Sequence, residues 1–271
     1  AVLLYWGEKY PESLSTAREI LASDPNNFVM NRVVLLNQTK MQDYQAAVES
    51  AKKFFAIPDG KFNTLDYTTY ADALIGIGQD SLAVVQYELA AKNDPENMDL
   101  LKDLSAFYNR FKMYDKGADA YAAYIDKQPN PTPEDFYAMA TRYLQAAGSS
   151  TDSIQAHDLA AKGIVYVKKL IDNPNIKPIP GFYQRLAFLN IAGNNKKPNL
   201  EAIEALDKMV ALLDEDPANK DPKNSANQLP LYKNAYAFML QYYRVVNPDK
   251  EKAEKALEDY KTIDNLINGV E

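Results

Sequence analysis

A turn sequence that recurs along the chain constrains the fold more than any other feature. The sequence Asp-Pro-Asn-Asn at 24–27 returns as Asp-Pro-Glu-Asn at 94–97, and each copy follows a stretch whose apolar residues have helical spacing. Proline ends the preceding helix because it lacks an N–H donor, and Asn or Asp accepts hydrogen bonds from the free amides of the next helix. Weaker copies begin at Asp172, Asp214 and Asn247. The pattern predicts an all-α chain of helices joined by short, repeating turns.

The residues between these turns repeat as well. A set that ends at Pro95 is followed, after a step of about 34 residues, by a corresponding set that ends at Pro129. The first set is Tyr67, Tyr70, Ala71, Leu74, Ala83, Tyr87, Ala90 and Pro95, and the second is Leu101, Leu104, Ser105, Tyr108, Gly117, Tyr121, Tyr124 and Pro129. Less regular copies lie on both sides. Each set predicts one unit of two helices.

Small residues recur where the two helices of each unit are expected to cross. The first-helix positions are Ala1, Leu35, Ala71, Ser105, Ala140, Ala187 and Ala237, with Ala235 as an alternative to the last, and the second-helix positions are Ser13, Ala47, Ala83, Gly117, Ala160, Ala205 and Ala253. All of these except Leu35 are small. Small side chains allow two helix backbones to approach closely, so the pattern supports the same alignment along the whole chain.

This pattern resembles the tetratricopeptide-repeat (TPR) family, and in particular bacterial exported proteins of that type. The resemblance implies an all-α, right-handed superhelical solenoid of antiparallel helix pairs, in which stacked units share one core. We expect a single domain over residues 1–271, regular over about 1–130 and less regular, with longer loops, over about 131–271. By register Ala1 lies within a first helix, so the natural chain is expected to begin earlier.

Three insertions interrupt the regular spacing in the carboxyl half. Gly148 to Ser153 and Gly193 to Asn199 are predicted to lengthen the turns inside two consecutive units. Glu215 to Gln228 is predicted to lengthen the joint between two units. Long loops often carry function, so the lengthened turns are an alternative location for a binding site.

Charge and hydropathy argue against two classes of partner. The 30 Lys and Arg residues are outnumbered by 37 Asp and Glu residues, which gives a net charge of −7 and disfavours binding to nucleic acid. No apolar run approaches the roughly 20 residues that a transmembrane helix needs. The compartment stays open: the resemblance to exported repeat proteins suggests the periplasm, and the cytoplasm is the alternative.

The residues that usually carry chemistry are scarce, so we predict that the protein is not an enzyme and needs no metal or cofactor. The chain has no cysteine, and its single histidine, His157, has no partner at the spacing of a zinc site or a catalytic triad. Gly76 and Gly78 are predicted to form a turn, because no phosphate-binding glycine motif surrounds them. No catalytic residue is therefore proposed.

The resemblance implies that first helices line a concave groove that binds a protein or peptide partner. Mapping the family's groove positions onto this sequence gives a mixed apolar and charged surface. On two successive first helices these positions are Val29, Arg32, Val33, Leu36, Thr39, Leu65, Thr68, Thr69, Asp72 and Ile75. The candidate partner-binding residues of this surface are Arg32, Leu36, Asp72, Lys102, Asp103, Arg110, Tyr137 and Thr141. Some family members clamp a terminal carboxylate with asparagines and cations, but the matching positions here include Leu36, Asp99 and Asp103. That specificity is therefore not expected.

The leading hypothesis for function is a non-catalytic scaffold for protein interaction. Two alternatives remain open from the sequence. The chain is a structural segment of a longer, envelope-associated solenoid, or it is a small-molecule-binding protein with a pocket in the irregular carboxyl half. A cavity lined by converging polar groups would favour the last alternative.

Overall fold

The protein is described by a computed structural model over residues 1–224 and 226–269, and within these residues it contains fourteen α-helices and no β-strand. The helices are α1 (Val2–Trp6), α2 (Tyr10–Ser23), α3 (Phe28–Lys40), α4 (Tyr44–Phe55), α5 (Thr64–Gly76), α6 (Asp80–Asn93), α7 (Met98–Arg110), α8 (Tyr114–Asp126), α9 (Pro133–Ser149), α10 (Ser153–Ile171), α11 (Pro180–Gly193), α12 (Leu200–Leu213), α13 (Leu229–Gln241) and α14 (Lys250–Asn268). The all-α prediction is confirmed for this part of the chain. Odd-numbered helices are the predicted first helices, and even-numbered helices are the second helices.

The chain divides into two compact units, and the first contains residues 1–111. In this unit α1 packs against α2, α3 against α4 and α5 against α6, as expected for antiparallel helix pairs. The first helices also contact one another in succession, α1 with α3 and α3 with α5. The first helices α1, α3 and α5 therefore form a row along one side of this unit.

The second unit begins at Lys112. Here α9 packs against α10, α11 against α12 and α13 against α14, and α9 also contacts α11. Two apolar clusters form its core, one around Met139 and Leu189 and the other around Leu206 and Tyr232. The repeat pattern thus continues in this unit. The expectation of one solenoid over residues 1–271 stays a prediction.

Asparagine caps the first helices at the predicted joints. The Asn27 side chain accepts a hydrogen bond from the Met30 amide at 3.0 Å, and the Asn97 side chain accepts one from the Leu100 amide at 3.1 Å. Asn63 has the same role at the start of α5, where Asp66 completes a capping box. These bonds satisfy amides that have no partner inside the helix. The repeated turn sequence therefore repeats a helix start.

The turns that join the two helices of each pair share a residue in the left-handed conformation. Glu8, Gln42, Gly78 and Lys112 have φ values of 58°, 61°, 73° and 60° in the four successive turns that follow α1, α3, α5 and α7. Only one of the four is glycine, although a left-handed conformation costs other residues free energy. The geometry of the helix pair therefore sets this conformation more strongly than the local residue does.

The predicted crossing residues are buried, except Ala1, which is partly buried, and Ala237 in the last pair. Ala71, Ala83, Ala140 and Ala187 are all 0% exposed. The larger Leu35 is also 0% exposed, so the α3–α4 helix pair accommodates a leucine side chain at the crossing. These observations confirm the alignment of first and second helices over most of the chain.

In the first helix of the last pair the assignment of Ala237 is wrong, and its alternative, Ala235, is the crossing residue. Ala235 is 0% exposed and packs in the core, whereas Ala237 is exposed. The end of α13 continues into a π-helical segment at Tyr242–Val246, which adds a residue to the turn. The two candidate residues lie two positions apart in α13, and only Ala235 lies in the core.

The insertion at 148–153 does not form the lengthened turn that the sequence predicted. Helix α9 continues through Gly148 and Ser149, and α10 begins at Ser153 with Asp152 as its cap. The extra residues therefore extend two helices to 17 and 19 residues and leave a short turn. The insertion at 193–199 does form a turn, since α11 ends at Gly193 and α12 begins at Leu200.

Candidate functional site

A cavity of about 490 Å³ lies on the first-helix side of the 1–111 unit, and we call it the first-helix groove. Most of the positions predicted to face a groove on α3 and α5 line it. They are Leu36, Thr39, Leu65, Thr68, Thr69, Asp72 and Ile75. Leucine and isoleucine side chains give the groove apolar surface, and threonine and aspartate side chains give it hydrogen-bonding groups. The groove offers contacts to a ligand with both kinds of surface.

Asp72 is the carboxylate of this groove, and its orientation is fixed by a tyrosine. The Tyr87 hydroxyl donates a hydrogen bond of 2.8 Å to Asp72 Oδ1. Desolvation by the surrounding protein raises the pKa of Asp72 although Tyr87 and Lys40 oppose the shift, and nearby Asp103 adds to it. Among the described residues no cation forms an ion pair with Asp72 within 4 Å. The groove therefore presents an oriented acceptor that a bound cation would stabilise.

Three further candidate residues lie on α7 of the same unit. Lys102, Asp103 and Arg110 are all exposed. The Arg110 guanidinium lies 5.6 Å from the centre of the Phe111 ring. Asp103 lies close enough to Asp72 to influence its pKa, so the structure brings these two carboxylates into one neighbourhood. Their role in partner binding stays a prediction.

Arg32 lies at the edge of the first helices but its charge is already paired. Its Nε and terminal nitrogen donate to the two carboxylate oxygens of Asp66 at 2.7 and 2.8 Å. The Arg32 side chain is 23% exposed and that of Asp66 is 0% exposed. The guanidinium also lies 4.8 Å from the centre of the Phe28 ring. Arg32 therefore joins α3 to the start of α5, in addition to the partner-binding role that the sequence predicts for it.

Tyr137 and Thr141 lie in the second unit, on α9, and both are partly buried. The Tyr137 hydroxyl accepts a hydrogen bond of 2.8 Å from Arg185, whose guanidinium lies 4.9 Å from the centre of the tyrosine ring. The Thr141 hydroxyl donates to the Tyr137 carbonyl at 2.8 Å. Tyr137 thus packs between two first helices, with part of its ring still accessible.

Sequence reasoning missed five residues that also line the first-helix groove, namely Tyr5, Lys40, Gln42, Tyr44 and Gly76. Tyr44 begins a second helix, which the family pattern places away from the groove. A Cβ atom on Gly76 would lie 2.2 Å from the Tyr44 ring, so glycine is needed there for close packing. In the sequence Gly76 looks like a turn residue, and no sequence signal indicates this contact.

The remaining candidate chemistry lies outside the groove. His157 is exposed in α10, and its Nδ1 lies 3.3 Å from the Gly193 carbonyl oxygen. Among the described residues there is no group of three or more His, Cys, Asp or Glu side chains that could hold a metal ion. No described helix is both long and apolar enough to cross a membrane.

Comparison with known proteins gives likenesses of structure. No family model and no curated protein matches the sequence. The chain is similar to the C-terminal part of a TPR repeat-containing protein from Cytophaga hutchinsonii, with 19% identity over 99% of this chain and 97% of that one, and a TM-score of 0.45. It is also similar to a chain in the structure of Naa15/Naa10 bound to HypK-THB, with 15% identity over 98% of this chain and a TM-score of 0.61. The chain has a TPR-like fold.

The TPR-like fold accounts for the features described above. Its helix pairs explain the buried small residues at the crossings, and its row of first helices explains the groove. The chain spans 38% of the chain that it matches in the Naa15/Naa10 structure. At 15% identity this likeness concerns the fold alone.

Proposed function

We propose that the protein is a non-catalytic interaction scaffold and that its first-helix groove binds an extended segment of a partner protein. The observation that carries this proposal is the agreement between the groove-facing positions predicted from the repeat and the residues that line the 490 Å³ cavity. TPR-like folds are interaction scaffolds, and the neighbour with a TM-score of 0.61 is itself part of a complex, Naa15/Naa10 bound to HypK-THB.

The groove lining suits a segment with one apolar and one basic side chain. Leu65 is 50% exposed and, with Leu36 and Ile75, provides the apolar contact. Asp72 provides the acceptor for a lysine or arginine, held in place by Tyr87. Burial of a well-packed anchor commonly supplies about 2 kcal/mol or more, and the charged pair sets orientation and association rate.

A matched pair of substitutions tests where partners bind. Leu65 in α5 and Leu82 in α6 are 50% and 52% exposed, and each lies in the first turn of its helix. Peptides selected from a random library against the unmodified chain should lose at least about tenfold in affinity for Leu65→Arg, because that loss corresponds to about 1.4 kcal/mol of contact energy. Leu82→Arg should bind them normally.

The composition of the selected peptides gives a second readout. We expect a basic residue close to an apolar one, and weaker binding of these peptides to Asp72→Asn. Peptides that bind Leu65→Arg and Leu82→Arg equally well would show that the groove is not the site. Loss of binding on replacement of residues 194–199 instead would move the site to the lengthened turn.

A further inference from the structure

A second cavity, of about 530 Å³, lies in the second unit between α12, α13 and α14, and we call it the α12–α14 cavity. Buried Met239 and Ala256, which are 6% and 5% exposed, form its apolar floor. Its walls carry three carboxylates, three ammonium groups and two phenols. They belong to Asp207, Asp214, Asp259, Lys220, Lys252, Lys255, Tyr236 and Tyr243. Its volume lies within the range of about 300–1,000 Å³ that is usual for small-molecule sites.

Asp214 is already satisfied within the protein. Its Oδ1 accepts hydrogen bonds from the Tyr232 hydroxyl and from Lys220 Nζ, each at 2.7 Å. Desolvation disfavours the charged form of this carboxyl, but the hydrogen bonds from Lys220 and Tyr232 outweigh it and lower its pKa. Asp214 and Lys220 therefore balance each other and leave little capacity for a ligand.

Asp207, on the same side of the cavity, contrasts with Asp214. Among the described residues its carboxylate has no hydrogen bond and no ion pair within 4 Å. Desolvation raises its pKa although Lys252 and Lys255 attract its charge from a greater distance. This carboxylate is exposed at the mouth of the cavity and lacks a close cationic partner, and a ligand cation would provide one.

Two other groups in the cavity are available to a ligand. Desolvation and the nearby Asp259, Asp214 and Asp207 raise the pKa of Tyr236 to about 12, so its hydroxyl stays protonated and can donate a hydrogen bond at neutral pH. Lys255 is exposed and forms no ion pair within 4 Å among the described residues. The wall therefore presents donors as well as an acceptor.

The charges on this wall distinguish between classes of ligand. A ligand with only a cation would meet Lys252 and Lys255, and a ligand with only an anion would meet Asp207 and Asp259. A molecule that carries one charge of each sign satisfies both sets of groups, because like charges in one site repel and opposite charges attract. The apolar floor accommodates the aliphatic part of such a molecule.

We propose that the α12–α14 cavity binds a free amino acid. Its ammonium group pairs with Asp207, and its side chain lies over Met239 and Ala256. Its carboxylate pairs with Lys255, and Lys252, which also lies 3.9 Å from Asp249, adds a second positive charge. This site is separate from the first-helix groove, and its ligand is a small molecule. It gives a specific form to the small-molecule alternative that the sequence left open for the carboxyl half.

Isothermal titration of the whole chain with each of the twenty common amino acids tests the proposal. We expect at least one amino acid to bind with a dissociation constant of about 1 mM or tighter. Butylamine and butyrate, which each carry one of the two charges, should bind at least about tenfold more weakly, because each lacks one of the charge-assisted hydrogen bonds.

Variants locate the site. Asp207→Asn and Lys255→Gln should each weaken binding by at least about tenfold, since each removes one charged partner. Glu258→Gln and Lys261→Gln remove the same charges from exposed positions of α14 outside the cavity and should bind normally, as should Asp72→Asn in the groove. Unfolding midpoints close to that of the unmodified chain would show that the variants are folded.

Three results would overturn the proposal. One is that no amino acid binds with a dissociation constant below about 10 mM, which corresponds to a binding free energy of less than about 3 kcal/mol. Another is that butylamine or butyrate binds as tightly as the best amino acid, which would assign the cavity to a singly charged ligand. The third is that the cavity variants bind as well as their controls.

Discussion

The ion pair between Arg32 and Asp66 gives the sharpest prediction about stability. Asp66 is completely buried, and the same carboxylate accepts a hydrogen bond of 2.8 Å from the Asn63 amide in the capping box of α5. Arg32→Met removes the cation and keeps an unbranched apolar chain beside Phe28. The carboxylate then remains buried with one donor instead of three.

The expected loss follows from this geometry. Removing one partner of a buried ion pair costs about 3–5 kcal/mol, and the lower end applies because the Arg32 side chain is 23% exposed to solvent. Asp66→Asn keeps a capping oxygen but loses two charge-assisted bonds, so about 1.5–3 kcal/mol is expected. The double variant should lose less than the sum, with a coupling energy of about 1–2 kcal/mol.

Urea denaturation followed by far-ultraviolet dichroism measures these free energies, provided that all variants share one slope of free energy against urea concentration. Lys52→Met is the control, because Lys52 pairs with Glu49 at 2.8 Å but both side chains are more than half exposed. That change should leave the free energy of unfolding essentially unchanged, because solvent screens an exposed pair. A loss below about 1 kcal/mol for Arg32→Met, or additive single losses, would refute the argument for a buried, coupled pair.

Three further predictions concern packing and pH. Gly163→Ala should lower the free energy of unfolding by about 1 kcal/mol or more, because the added Cβ would lie 2.6 Å from a leucine methyl on α11. The control Gly148→Ala meets no atom within 4 Å, so urea denaturation should show a gain in stability of a few tenths of a kcal/mol. Ala83→Trp at a fully buried crossing should cost more than about 3 kcal/mol, against about 0.5 kcal/mol for exposed Lys261→Ala. Equal urea midpoints for the two variants would contradict the crossing assignment. The raised pKa of Asp72 favours the protonated folded state, so its contribution to stability is present below the unfolded pKa of about 4 and is lost as pH rises through the higher folded value. Asp72→Asn should therefore stabilise the chain at pH 7 by a few tenths of a kcal/mol. The effect is small because solvent screens this exposed side chain. The same pH dependence of unfolding free energy in both chains between pH 4 and 7 would contradict this prediction.

Most of the helix arrangement was predictable from the sequence because the repeat makes the same physical demand many times. Buried small residues such as Ala71 and Ala83, and caps such as Asn27 and Asn97, follow from local geometry that each unit shares. Where that geometry changes, prediction failed. In α13 the crossing residue is Ala235, which the sequence offered only as the alternative to Ala237, because both alanines fit the small position and the repeat is irregular there.

The candidate site was predictable in part, for a related reason. The resemblance to the repeat family implies that Leu36 and Asp72 face the groove side of α3 and α5, and both line the cavity. It does not show which polar side chains pair with one another. The bond from Tyr87 to Asp72 and the pair of Arg32 with Asp66 depend on distances between helices. The charge balance of the α12–α14 cavity depends on three helices at once, which a repeat pattern does not specify.

The left-handed residues in the turns between paired helices make this chain a convenient subject for engineering thermal stability. Glu8, Gln42 and Lys112 each occupy a conformation that costs a residue with a Cβ atom about 1–2 kcal/mol, whereas glycine loses only about 0.5–1 kcal/mol through its freer unfolded state. Replacing each by glycine should therefore raise the melting temperature in separate, additive steps. Gly78 already occupies the equivalent turn, so the scaffold carries its own template for the change.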